Sequence, residues 1–139
     1  MKQEIHSFTL KSSQYTDIID ITEKANQFIE QAGIRKGLFT ASVPGSTASI
    51  TTIEYEDGVL EDLKNAIERI APQGMKYDHD AKWGDGNGYS HVRAALLKPS
   101  LSLPVEKGHI MHGTWQQIVL MDFDSRARNR NIIFHVIGE

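Results

Sequence analysis

The stretch LSLPVEKGHIMHGTWQQIVLMDFD, residues 101–124, decides the fold. It reads as strand, turn, strand. Along the second strand Trp115, Gln117, Val119, Met121 and Phe123 alternate with Thr114, Gln116, Ile118, Leu120 and Asp122. Successive side chains of a strand point to opposite faces, and neither of these sets is polar throughout. The strand is therefore expected to be covered on both sides, with Trp115 in the core. Residues 125–130 (SRARNR) follow as a basic turn, and NIIFHVIGE returns as a final strand.

Residues 4–11 and 36–43 read as further strands, the second ended by Pro44-Gly45, and the Thr- and Ile-rich residues 46–55 as another. Ile18, Ile21, Ala25, Phe28 and Ile29 recur at helical spacing. They predict a helix over 17–32 that stops at Gly33. Leu60, Leu63, Ile67 and Ile70 predict a second helix ended by Pro72. A short helix through Val92, Ala95 and Leu96 stops at Pro99. Residues 74–90 hold Gly74, Gly84, Gly86 and Gly88, show no hydrophobic period and read as a long loop, a rarity in a small domain without a function. The sum is an α+β class, an antiparallel sandwich with helices on one side.

The chain has 139 residues, which suits a single domain over 1–139. A net charge of −3 gives no footprint for nucleic acid or an anionic membrane surface. The absence of cysteine excludes disulfides, thiolate metal sites and a cysteine nucleophile. With no apolar leader and no apolar run near the ~20 residues of a membrane span, a cytoplasmic location is expected.

Four groups of residues can carry chemistry. The segment HDAKWGDGNGYSH holds His79, Asp85, Asn87 and His91. Twelve residues separate the histidines, so no single helical face carries both, but a glycine-rich loop can fold back and join them. Neutral imidazoles ligate divalent transition metals, and Asp85 can orient an imidazole, complete the ligand set or act as a base. The competing reading is a polar surface loop. In PGSTAS, Ser46 and Thr47 follow a tight turn and can cradle an anion, although ordinary turn chemistry explains them too. His112 stands beside Gly113 ahead of Trp115 and Gln116. Arg126, Arg128 and Arg130 alternate at period two; extended, they suit phosphate, and otherwise they form a solvated hairpin tip. His6, His109 and His135 receive no role.

The run from Ser100 to Gly108, followed after four residues by Gly113-Thr114-Trp115-Gln116-Gln117-Ile118, resembles the signature of the YjbQ family. PGSTASITTIEYEDGVLEDL is similar to that family's hydroxyl-rich strand and following helix, HDAKWGDGNGYSH to its histidine loop, and Arg130 before IIFHVIGE to its last strand. The resemblance covers nearly the whole chain. It implies an antiparallel sandwich assembled as a homotrimer, with a polar pocket near the subunit boundaries that is lined by the histidine loop and the Gly-Thr-Trp-Gln segment and takes a divalent metal or an anion. It also implies a secondary thiamine-phosphate synthase, joining a pyrimidine-methyl diphosphate to a thiazole phosphate with loss of pyrophosphate. Under that expectation His79 and His91 hold a divalent cation, zinc by ligand type. Asp85, Asn87 and Gln116 are catalytic, and Ser46, Thr47, Thr114, Trp115 and Arg130 contact a small phosphorylated metabolite. Many members have a histidine where this chain has Gly45, and an apolar residue where it has His112. His112 is therefore expected to replace the missing imidazole. The alternatives are a metal-dependent hydrolase of a phosphorylated metabolite and a trimer that binds such a metabolite without turnover.

Overall fold

A computed structural model describes residues 1–139. Its centre is strand β7 (Gln117–Asp122), in which Ile118, Val119, Leu120 and Met121 are fully buried. Both faces are covered, as the mixed alternation requires. Ile118 and Leu120 join a cluster with Phe39, Phe134 and Val136, while Val119, Met121 and Phe123 join another with Ile67 and Ala94. β7 is the middle strand of a three-stranded antiparallel sheet, between β2 (Asp17–Asp20) and β4 (Ala48–Ile53). The facing sheet has five strands in the order β1 (Lys2–Lys11), β8 (Asn129–Gly138), β3 (Lys36–Ser42), β5 (Ser100–Glu106) and β6 (His109–Ile110). The two sheets and helix α1 (Thr22–Ala32) enclose the larger core. Helices α2 (Asp57–Ile70) and α4 (Gly88–Leu97) cover the outer face of the smaller sheet. The architecture is α+β with antiparallel sheets. No helix is long and apolar enough to cross a membrane.

Four expectations are corrected. The first helix begins at Thr22, not residue 17: Asp17–Asp20 pairs with β7, and Asp20 turns the chain by accepting from the Thr22 backbone N–H and hydroxyl. The β-branched pair Ile18-Ile19 fits a pleated edge, and Ile18 packs in the smaller core, away from the α1 residues Ala25, Phe28 and Ile29. The expected loop over 74–90 contains helix α3 (Asp78–Trp83), which buries no residue and so leaves no hydrophobic period. Helix α4 buries Tyr89, Arg93 and Ala94, leaving Val92 and Leu96 exposed, the reverse of the face expected. Finally, Thr114–Gln116 is a turn, not strand. The Gly113 N–H donates to Gln116 Oε1 at 2.9 Å, the Gln116 N–H donates back to the Gly113 carbonyl at 3.1 Å, and Trp115 is left 72% exposed.

Gly37 faces Gly138 across the β3–β8 ladder, and a Cβ at Gly37 would lie 2.1 Å from the Ile137 carbonyl oxygen. Only glycine lets the two backbones approach that closely. Gly37→Ala is expected to cost at least about 1–3 kcal/mol, the usual range of overpacked core substitutions. Urea unfolding should show a lower midpoint at unchanged slope.

Candidate functional site

The site is built on two buried carboxylates at the C-terminal end of β7. Asp122 is fully buried and Asp124 is 1% exposed. Two ionised groups at that depth need partners. Arg130, near the start of β8, supplies them: its Nε donates to Asp122 Oδ2 at 2.6 Å and its Nη2 to Asp122 Oδ1 at 2.8 Å. The Asp122 hydrogen bonds, against the opposing effect of burial, raise the pKa of the Arg130 guanidinium. Nη2 also donates to the Thr47 hydroxyl, which in turn donates a hydrogen bond to Asp124 Oδ2 at 2.9 Å. Asn87 Nδ2 donates to the same carboxylate oxygen at 3.1 Å, and the Arg126 N–H to Oδ1 at 2.9 Å. Burial pushes the Asp124 pKa up. The donors Arg126 N–H, Asn87, Thr47 and Arg128 overcome this and hold it at about 2.

This network ties three segments together. Residues 44–47 arrive from the β3–β4 connection. Asn87 begins α4, and its Oδ1 accepts from the Ser125 N–H at 3.1 Å and from the Ser90 hydroxyl. The third is the β7–β8 turn. Above them lies a cleft of about 390 Å³ with no apolar residue in its lining. Ser46, Asp85, His91, Arg128 and Arg130 are exposed to it. Arg130 Nη1 has no protein partner. A Cβ at Gly45 would stand 3.0 Å from this nitrogen, so the glycine keeps that edge of the guanidinium clear.

The histidine loop converges at one wall of the cleft. Helices α3 and α4 bring the His79 and His91 rings to 4.4 Å between centroids. His79 Nδ1 lies 3.3 Å from Asp85 Oδ1 and 3.4 Å from Asp80 Oδ1. His79, Asp80 and Asp85 offer ligand atoms within 4.8 Å of one another. Both carboxylates also accept a backbone N–H, Asp80 Oδ1 from Gly88 at 2.8 Å and Asp85 Oδ1 from Asn87 at 3.1 Å, and Asp85 is the more exposed of the two.

The other expected residues stand elsewhere. Gln116 Nε2 donates to Thr52 Oγ1 at 3.2 Å, at the far end of β4 from Thr47. Five strand residues at about 3.3 Å each separate the two ends by about 16 Å. Trp115 lines a different cleft with Asp20, Tyr55 and Asp57. Thr114 is exposed, and its carbonyl accepts from Gln117 Nε2. His112 lines a third cleft with Arg35 and Lys107, so within one chain it does not join His79 and His91. Of the expected three-histidine set, His79 and His91 come together without His112, and the side chains whose ligand atoms converge are His79, Asp80 and Asp85. Asn87 and Thr47 are buried with their polar side-chain groups committed to the network, so they position the site instead of facing a ligand. Asp122 and Asp124 were not expected as site residues, whereas Arg128 belongs to the alternating arginines read as suited to phosphate. The signal of the two carboxylates was their spacing two apart in the apolar run MDFD, followed by those arginines.

A two-sheet α+β protein with a histidine–aspartate wall over a buried Arg–Asp network is thus defined by geometry. Residues 6–139 match a family model described as UPF0047 protein YjbQ-like. The chain belongs to the YjbQ/UPF0047 family. A UPF0047 protein of Archaeoglobus fulgidus is 37% identical over 125 residues, spanning 90% of this chain and 95% of that one. YugU of Bacillus subtilis is 27% identical over 135 residues, spanning 96% and 99%. Among solved structures, a hypothetical protein of Aeropyrum pernix is similar with a TM-score of 0.90 at 29% identity, covering 98% of this chain and 99% of that one. A protein of unknown function from Sulfolobus solfataricus is similar with a TM-score of 0.89 at 28% identity, covering 99% and 100%.

The depressed Asp124 pKa carries a stability consequence. Its folded value of about 2 lies below the ordinary 3.8, so its contribution is present above about pH 4 and is lost as pH falls through 2. The difference corresponds to about 2 kcal/mol. Asp124→Asn should lose at least that much at pH 7 and show a flatter decline in stability between pH 4 and pH 2. Urea unfolding across that range measures it.

Proposed function

We propose that this protein holds a divalent cation, zinc by donor chemistry, through His79, His91 and Asp85, and hydrolyses a small phosphorylated metabolite in the adjoining cleft. One observation carries the reading: the His79 ring lies 4.4 Å from that of His91 and its Nδ1 3.3 Å from Asp85 Oδ1, and His91 and Asp85 line an all-polar cleft together with Arg130. A set of nitrogen and oxygen donors of this kind fits a borderline ion such as zinc. An ion bound there would supply a Lewis acid and would lower the pKa of a coordinated water to about 7.

The chain's own groups do the remaining work. Arg130 Nη1 and the half-exposed Arg128 guanidinium meet phosphate oxygens, and the Ser46 hydroxyl donates from the turn. Asp124, held anionic, fixes Arg128 through an Nε contact of 3.2 Å and sets Thr47 and Asn87 around it. Arg130 is locked in one orientation by Asp122, so its free edge is preorganised before any ligand arrives.

Coupling of a pyrimidine diphosphate to a thiazole phosphate would use the same ion and anion contacts. It also calls for an aromatic wall, and Trp115 stands at the other end of β7 in the same chain. In a homotrimer with its pocket at the subunit boundary, Trp115 and Gln116 would reach this cleft from a neighbouring copy. The 72% exposure of Trp115 favours that arrangement.

Purified protein should contain about one zinc per chain by elemental analysis and hydrolyse generic phosphomonoesters. His79→Ala and His91→Ala should lose metal and at least about 100-fold in turnover, with the thermal midpoint of the metal-stripped wild type. Retention of metal and turnover by both variants defeats the assignment. Turnover of the two thiamine precursors without phosphoesterase activity would replace hydrolysis by synthesis. Binding without any turnover would leave a ligand-binding protein. Mixing His91→Ala with Trp115→Ala chains should restore part of the activity if the site is shared between copies.

A further inference from the structure

We infer that the outer face of the five-stranded sheet is an interface on which a second copy of this chain packs. The inner face of that sheet meets α1 and the smaller sheet across the larger core, and α2 and α4 lie on the far side of the smaller sheet. The outer face of the larger sheet is left bare. An antiparallel sheet with one face to water carries polar residues there. Here the outward positions of β1, β8, β3 and β5 include Ile5, Ile133, Ile137, Leu38 and Pro104. Ile137, Leu38 and Pro104 stand side by side in register, and Ile5 is the diagonal neighbour of both Ile133 and Ile137. Ile5 is 66% exposed, Leu38 45% and Ile137 37%.

Three observations point to a copy of the chain as the occupant. First, the middle of the face carries no Lys, Arg, Asp or Glu. The charged residues that point outward on these strands, Lys11, Lys36 and Glu106, stand at strand ends. Nucleic acid and anionic headgroups call for Lys and Arg, whereas the centres of interfaces between identical chains are apolar and depleted of charge.

Second, the polar groups in the middle of the face are paired with one another. The Thr40 and Ser102 hydroxyls hydrogen-bond across β3 and β5 at 3.0 Å, and His135 Nε2 lies 3.2 Å from Gln3 Oε1. The face can therefore lose its water without stranding these groups. Third, shape and size fit. None of these side chains lines one of the larger clefts, so a small molecule finds no concavity there. A flat pleated face accepts another flat face, as stacked sheets do at about 10 Å. Four strands about 4.8 Å apart, with about 3.3 Å per residue, present a plane of about 450–600 Å². A stable interface removes about 600–1,000 Å² of accessible surface from each partner, so this face supplies most of one. The contact lies on the sheet, away from the turn that carries Trp115. It stands whether or not a neighbouring copy completes the histidine–aspartate cleft.

Sedimentation of the full chain over a wide range of concentration is the test. The wild type should run as an assembly. Leu38→Glu and Ile137→Glu, made separately, each place a carboxylate in the uncharged middle of the face. Each should reduce the mass to that of a single chain, with the far-ultraviolet circular dichroism unchanged. His91→Ala should keep the wild-type mass, whatever becomes of hydrolysis. A second measurement needs no disruptive substitution. The chain has no cysteine, and Ser102 is exposed in the single chain, so Ser102→Cys supplies one thiol that only assembly can protect. A soluble maleimide should label it at least about tenfold more slowly in the assembled protein than in the urea-unfolded chain. A single-chain mass for the wild type at every concentration, an assembly that survives both carboxylate substitutions, or unprotected labelling of Ser102→Cys in the assembled protein would each overturn the inference.

Discussion

The buried pairing of Arg130 with Asp122 is the constraint on which the rest of the site depends. Neither charge tolerates that depth alone, and removing one partner of such a pair typically costs about 3–5 kcal/mol. The pairing fixes the start of β8 against the end of β7. Thr47 and Asp124 extend it to the β3–β4 connection, and Asn87 extends it to α4. The ends of β7 and β8 that flank their turn, the β3–β4 connection and the start of α4 thus share one hydrogen-bonded unit. The histidine wall is carried on the helix that Asn87 anchors, so the imidazole geometry is inherited from a network that neither imidazole belongs to.

Such a network is a cost unless every member is satisfied. Here Asp122 accepts from Ser12, from two guanidinium nitrogens and from the Asp124 N–H. Saturation on the inside leaves the unpaired capacity on the outside, at Arg130 Nη1, Ser46 and the Asp85–His79–His91 wall. That division between a rigid interior and an open rim is what a preorganised polar site requires.

Much of the fold was legible in the residues. The alternation in β7 and β8, the Thr- and Ile-rich β4 and the 3.6-residue period of α2 each survive in the structure. The failures share a cause: local pattern was read where tertiary pairing decides. Ile18 fits the helical period of α1 but is claimed by β7, and Thr114–Gln116 fits the alternation of β7 but is folded back by the Gln116 side chain. Helix α3 was invisible because it buries nothing. For the site, the meeting of His79 with His91 could be anticipated from the glycines between them. The position of His112 could not, because it depends on which end of a six-residue strand a side chain occupies. The buried Asp122 and Asp124 were overlooked although two acids in an otherwise apolar run demand a cation.

The order in which strands find their partners has a consequence for synthesis of the chain. β1, β2, β3 and β4 all precede residue 54, and each pairs with β5, β7 or β8, all of which follow residue 99. The three helices between them cannot substitute for a ladder. During translation the first half therefore waits, its β-branched segments unpaired, until the second half leaves the ribosome. A topology of such high contact order folds slowly and late, and the nascent chain is a natural client for chaperones that shield unpaired strands.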